Sequence, residues 1–190
     1  MRLLISGTSG GVGAAVREVA LERGFEVFEV NRGDYDAGAL VLPDGIDAVV
    51  FATGQCPVKP MALTSDELLA ETVRVNCGLF LRLMRTIVAE RRYNPQGMQA
   101  LAISSVSAVE GWPGGAAYCA SKGALSAMCR AMDAELAAKK ISVKALEPRY
   151  IKTKMFDAGA GRMGVPAAEA EDPKVFAARL LGSLASAAMI

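Results

Sequence analysis

Residues 5–16 read ISGTSGGVGAAV, and the four glycines at 7, 10, 11 and 13 decide how the chain begins. The apolar run RLLIS (2–6) before them reads as a buried strand, and the small residues after them continue as a helix. As G-x-x-x-G-x-G, the key positions are Gly7, Gly11 and Gly13. Glycine there permits a tight turn, a close backbone approach to phosphate, and close helix–strand packing. A helix that starts at such a turn aims its free N–H groups and positive dipole end at an anion. The stretch therefore predicts a cradle for a dinucleotide pyrophosphate, although the same turn also serves packing alone.

Such sites usually carry an acidic residue about 20 positions further on, at the tip of the second strand, to hold the ribose. Counting from Gly11 reaches Asn31, with Arg32 beside it. Asparagine bonds a ribose oxygen or a phosphate without repelling it, and a guanidinium offers a planar fork for a 2′-phosphate. This pair favours NADP(H) over NAD(H). The alternatives are an Arg32 that is merely a solvated loop residue, and a ribose held by the nearby acids Glu29 or Asp34.

Outward from this turn, strands and helices alternate. A helix is expected from Gly11 to Arg23, stopped by Gly24, then a strand from Phe25 to Asn31. An irregular connection with Pro43 fills 34–45, and DAVVFATG (47–54) is a third strand. Thr64 followed by Glu67 forms a capping box, predicting a helical region to Arg92 with Phe80, Met84 and Ile87 on one face. ALAISSV (100–106) is a fourth strand. AYCASKGALSAMCRAMDAELAAKK (117–140) is a long helix with Leu125, Met128, Met132 and Leu136 on one side. ISVKALEP (141–148) is a fifth strand, and a last helix starts near Pro173. Regular alternation argues a parallel sheet covered on both faces: one α/β doubly wound domain, with no linker or repeat in residues 1–190.

Composition narrows the function classes. At 190 residues, 52% hydrophobic and 22% charged, the chain suits one soluble domain. Its 21 basic and 20 acidic residues create no global field for nucleic acid or an anionic membrane. The four cysteines (56, 77, 119, 129) form no C-x-x-C, and histidine is absent, which speaks against a zinc site or a disulfide framework. The opening MRLLIS is too short for a secretory core and nothing later reaches membrane-spanning length, so a cytoplasmic protein is expected.

YCASK places Tyr118 and Lys122 four apart at the start of the long helix, hence adjacent on one face. A neighbouring ammonium stabilises a phenolate and makes proton exchange with an alcohol or ketone feasible. Ser104 and Ser105 end the preceding strand, at the sheet edge where such folds hold ligands. The ordered set SGTSGGVG, VNCG, ISSVSA, YCASK and EPRYIKTKM, with the final DPKVFAARLLGSLAS, resembles the short-chain dehydrogenases/reductases over nearly the whole chain.

That resemblance implies a Rossmann-like fold and an NADPH-dependent reduction of a ketone or aldehyde to an alcohol, or the reverse. It makes Tyr118 the general acid and Lys122 the group that lowers its pKa and binds the nicotinamide ribose. Ser105, 13 residues before Tyr118, polarises the carbonyl, while Ser107 is a turn residue. Asn76 holds a water that links Lys122 to solvent, or else is a helix amide satisfied by backbone. The cofactor set is Gly7, Ser9, Gly10, Gly11, Val12, Gly13, Asn31, Arg32, Ala52, Thr53, Gly54, Tyr118, Lys122, Pro148, Ile151 and Thr153, with Thr153 on the carboxamide. No metal is implied.

Several features depart from the family pattern. Phe51-Ala52-Thr53-Gly54 replaces its Asn-Asn-Ala-Gly, and Arg149 replaces the glycine after Pro148. The stretch between the second and third strands is compressed, and the chain reaches Ile190 without the family's final strand, which puts a tetramer in doubt and leaves a homodimer. Segment 154–172, glycine- and alanine-rich with Met155 and Met163, reads as a mobile substrate loop. Trp112 either flanks the substrate or anchors a loop, and Cys119 reads as a half-buried thiol. The rival functions are a catalytically silent dinucleotide sensor or scaffold, and a sugar-nucleotide epimerase or dehydratase. The glycine spacing and the short chain count against the last.

Overall fold

The computed structural model describes residues 1–38 and 40–187. Five strands, β1 (Arg2–Ser6), β2 (Glu26–Val30), β3 (Ala48–Phe51), β4 (Met98–Ile103) and β5 (Ile141–Leu146), form one parallel sheet in the order β2-β1-β3-β4-β5. Side chains alternate between faces along each strand. Leu3 and Ile5 meet helices α1 (Gly11–Glu22) and α7 (Pro173–Ala187) on one side, together with Val50, Leu101 and Ile103. Leu4, Val49 and Phe51 face the other side, where α4 (Leu79–Ala89) and α5 (Ala116–Leu136) pack. Phe51 and Phe80 pack there in a tilted arrangement, 5.1 Å between ring centres. Burial on both faces is what makes the strands near-continuous apolar runs, and the doubly wound domain is as the sequence indicates.

The differences are local. The connection after β2 opens with a short helix α2 (Arg32–Asp36), which the sequence reading left irregular. It forms because Asn31 and Asp34 cap each other's backbone, the Asn31 N–H donating to Asp34 at 2.6 Å. Its Tyr35 is buried, so the compressed segment still covers the sheet. Helix α3 (Asp66–Val73) is capped by Ser65, whose hydroxyl accepts from Leu68 N at 3.2 Å, not by Thr64. Thr64 instead donates to the Pro60 carbonyl.

The helical region to Arg92 is also not one helix. Between α3 and α4, residues Arg74–Gly78 make a single wide π turn, a feature that recurs at functional sites. β5 lies at the sheet edge, where Met98 N and Ser104 N bond Lys140 and Leu146 carbonyls. Odd positions of β5 therefore face away from β4, and Asp133 of α5 accepts the outward Val143 N–H at 2.8 Å. Ile190 lies outside the described residues.

Candidate active site

Strand order reverses at β1, with β2 on one side and β3 on the other, so a crevice opens beyond the carboxyl ends of β1 and β3. Gly7, at φ +95°, presses against the backbone after β3: a Cβ there would lie 2.7 Å from Thr53 N. At Gly13 a Cβ would lie 2.1 Å from the Gly7 carbonyl, so only glycine lets α1 start this close to β1. Helix α1 is capped by Gly10 with no side-chain cap bond and no acid in its first turn. Its leading amides are thus left for an anion. A dinucleotide's pyrophosphate fits this cradle.

Beside it, the Thr8 hydroxyl donates to Glu29 at 2.5 Å, and Arg17 donates to the same carboxylate at 2.6 Å. These contacts hold the Glu29 carboxyl below its ordinary range, Thr8 contributing most. Asn31 bonds Thr8 at 3.1 Å. Arg32 reaches Gln55 at 3.0 Å and Glu71 at 3.2 Å with its fork half exposed. Thr53 is turned inward to Ser6 at 2.7 Å.

A cavity of about 700 Å³ runs from the glycine turn to the start of α5, within the size range of small-molecule sites. Its nucleotide end is lined by Ser9, Gly10, Gly11, Val12, Ala52 and Gly54. Ser105, Tyr118, Lys122, Pro148, Ile151 and Thr153 line the rest. Gly7, Gly13, Asn31, Arg32, Thr53 and Asn76 do not line it. Thr153 packs over the turn, 2.6 Å from where a Gly11 Cβ would stand.

Ser105 sits in extended backbone at the end of β4, its hydroxyl accepting from Ser107 N at 3.1 Å. Tyr118, in the first turn of α5, is buried beside it, and burial lifts its phenol well above the ordinary tyrosine value. The Cys56 thiol adds to that rise and the hydrogen bond with Ser105 opposes it. Lys122 donates to the Ile103 carbonyl at 2.7 Å and lies 5.7 Å from the Tyr118 ring centre. Burial brings the Lys122 ammonium down to about 8, partly offset by neighbouring thiols. Desolvation is thus the first cause of the shift in both groups.

Asn76, on the π turn, is fully buried. Its Oδ1 accepts from Gln55 N at 2.7 Å, and its Nδ2 donates to Gln55 O at 2.9 Å and to Ser121 at 2.8 Å. A Cβ on Gly54 would stand 3.3 Å from Asn76 Oδ1 and 3.8 Å from Lys122 Nζ. Asn76 therefore fixes the chain that forms the cavity floor next to the lysine. Trp112 donates to Ser107 at 3.1 Å, which anchors its loop, and it also lines the cavity.

Segment 154–172 contains a short helix, α6 (Lys154–Ala158), with Phe156 buried, and its base is pinned by pairing of Ile151 with Glu171. The Met163 side chain lies outside the described residues. Sequence reasoning passed over Cys56 and Glu110, both in the cavity wall, and it noted Arg149 only as a departure. No spacing marks Cys56. For Glu110 the signal was its place just before Trp112.

A family model described as short chain dehydrogenase matches residues 37–161. The chain is 27% identical over 179 residues to the 3-oxoacyl-(acyl-carrier-protein) reductase FabG of Rickettsia felis, covering 81% of this chain and 74% of that one. It is 30% identical over 188 residues to versicolorin reductase 1 of Aspergillus parasiticus, covering 80% and 70%. Among solved structures, 4-hydroxyisoleucine dehydrogenase complexed with NADH superposes with a TM-score of 0.77 at 22% identity, over 94% of this chain and 88% of that one. A short chain dehydrogenase from Burkholderia cenocepacia in complex with NADP gives 0.76 at 20%, over 96% and 83%.

Proposed function

The chain belongs to the short-chain dehydrogenase family and is an oxidoreductase of the nicotinamide-dinucleotide type, and we propose that it reduces a ketone or aldehyde with NADPH, or runs the reverse reaction. One observation carries the reading: Ser105, Tyr118 and Lys122 line the same cavity as the uncapped amides of α1. A relative named as a 3-oxoacyl reductase, and another named as a reductase, support the substrate class.

Ser9, Gly10, Gly11 and Val12 would hold the pyrophosphate, and Lys122 and Thr153 the nicotinamide end. Bound there, the cofactor supplies or accepts the hydride. Ser105 and Tyr118 present two hydroxyls to one substrate carbonyl oxygen, which polarises it as negative charge develops. Tyr118 gives that oxygen its proton, and a phenol held protonated by burial is in the right state to do so. Lys122 stands behind the tyrosine as the cation that meets the resulting phenolate. Asn76 holds Gly54 and Gln55, and so the floor beside Lys122, in place.

The NADPH preference rests on two details. Glu29, the acid best placed for a ribose, is engaged by Thr8 and Arg17. Arg32 keeps a half-exposed fork, and its acidic partner Glu71 has a second cation in Arg74 at 2.7 Å. The first test is titration calorimetry of NADPH and NADH, with Arg32→Ala alongside. A charge-assisted phosphate bond predicts tighter NADPH binding by about tenfold or more, lost in the variant. Equal binding of the two, unchanged in Arg32→Ala, removes the NADPH reading. Oxidation of NADPH by a panel of carbonyl compounds then tests turnover. A homodimer in the cytoplasm is part of the same proposal, and light scattering of the purified chain tests the assembly.

A further inference from the structure

The whole chain balances 21 basic residues against 20 acidic ones, but the cavity does not. Among the described residues, the charged groups on its wall are Lys122, Arg149 and Lys154 against Glu110. Lys122 is buried at the floor and committed to the Ile103 carbonyl. Arg149 is placed differently. Its Nη2 meets Glu110 Oε1 at 2.6 Å, so the pair joins the loop after β5 to the loop after β4 across the cavity wall. The guanidinium lies 6.0 Å from the Tyr150 ring centre, and that ring packs edge-on to Phe156 at 5.8 Å. The result is a planar cation beside two aromatic rings, in a cavity that Trp112 and Met155 also line.

Both ion-pair partners are about half exposed, 57% for Arg149 and 48% for Glu110. Such a half-exposed, solvent-screened pair is held weakly, so another carboxylate displaces Glu110 at little cost. A guanidinium has five donors, and the Glu110 contact uses one of them. Exchange of one carboxylate for another keeps the cation paired and lets Glu110 turn to solvent. A neutral ligand entering the same space gains less, because it accepts a hydrogen bond without replacing the carboxylate's charge.

Resting on the reductase reading, we propose that Arg149 is the specificity determinant for an anionic group, a carboxylate or its equivalent, on the carbonyl substrate, and that Glu110 occupies its place in the free enzyme. The apolar body of such an oxo acid lies against Trp112, Met155 and Phe156, with the reacting carbonyl at Ser105 and Tyr118. The same cation could in principle serve a phosphate of the cofactor. Its partner, however, belongs to the loop that carries Trp112 and Ser107, and α1 has its own amides for the pyrophosphate.

The test compares oxo acids with their methyl esters, matched in shape and differing in charge, in the wild-type protein, Arg149→Gln and Glu110→Gln, all with NADPH. The expected result is a kcat/KM ratio of acid to ester of about tenfold or more, carried by KM. In Arg149→Gln the ratio falls to near unity, and in Glu110→Gln, which removes the competing carboxylate, it rises. Arg149→Lys retains part of it. A ratio near one in the wild type, or a ratio unmoved by Arg149→Gln, overturns the proposal. So does a loss of NADPH affinity in Arg149→Gln large enough to account for the change, which would give the arginine to the cofactor. Binding of phenylacetate against phenylacetamide to the NADPH-bound protein separates the two readings. Salt-dependent, Arg149-dependent phenylacetate binding without turnover of any carbonyl compound would sink the reductase reading and leave the anion site. No such binding would sink the anion site as well.

Discussion

Replacing Gly13 and Gly182 by alanine adds the same methyl group to two helices and should move stability in opposite directions. At Gly13 the new Cβ would stand 2.1 Å from the Gly7 carbonyl oxygen and 2.7 Å from its carbon. Real Cβ atoms do not come closer than about 3 Å, so the start of α1 must retreat from β1 by about 1 Å. Both partners are backbone, and neither can rotate away. Overpacking of this kind costs about 1–3 kcal/mol. For a chain of this length that lowers Tm by about 3–10 °C. The retreat also moves the amides of Gly11 and Val12 off the pyrophosphate, so NADPH affinity should fall by more than stability alone explains. At Gly182, exposed in α7, no atom of the described residues stands within 4 Å of the added Cβ. There alanine removes backbone freedom of the unfolded chain and should raise stability by about 0.5–1 kcal/mol. Thermal unfolding by circular dichroism, with cofactor titration of each variant, makes the comparison. A Gly13→Ala protein that melts within a degree of the wild type and binds NADPH equally well would refute the packing argument.

Tyr118→Phe should lower turnover by about 10²–10⁴-fold with little change in NADPH affinity, as steady-state rates and calorimetry together will show. Asn76→Ala strips the partners from both Gln55 main-chain groups and from Ser121, and should cost about 2–4 kcal/mol in urea unfolding at any pH near neutrality. Lys122 gives a pH signature. Its ammonium pKa falls from 10.5 unfolded to about 8 folded, so below pH 8 the folded protein must carry a desolvated charge. The penalty is fully present below that pH and fades as pH rises towards the unfolded value. Lys122→Met should therefore lose its stability relative to wild type by about 1 kcal/mol between about pH 7 and pH 9, and a gap that stays constant would contradict the buried charge.

The strands and the long helices were legible because their apolar spacing is dense enough to outweigh local detail. The reading erred where a single hydrogen bond decides. Thr64 and Ser65 both look like caps for α3, and only the position of Leu68 N selects Ser65. Helix α2 is carried by Asn31 and Asp34, an asparagine capping box that the sequence reading, which took Asn31 for a cofactor contact, did not name. The π turn at Arg74–Gly78 is invisible to periodicity because the residues after it resume a helical stripe. Its cause is long-range: Asn76 reaches Gln55, 21 positions earlier, and Ser121, 45 positions later. Within the candidate site, Ser105, Tyr118 and Lys122 were readable because they come as an ordered set. Glu110 and Cys56 acquire meaning only when the loops meet in space.

Asp133 has a consequence for the protein in concentrated solution. β5 is an edge strand, and its outward amides are where a strand from a neighbouring molecule would add. Asp133 holds the Val143 amide and also bonds Lys144 at 2.5 Å and Ser142 at 3.2 Å. Lys144, then the Val143 amide, keep its carboxyl below the usual range, so it stays charged well into mild acid. An intruding strand would have to break that ionic cluster and bury its charge before gaining its first ladder bond. The sheet thus carries its own barrier to fibrous growth, supplied by the helix that also bears Tyr118.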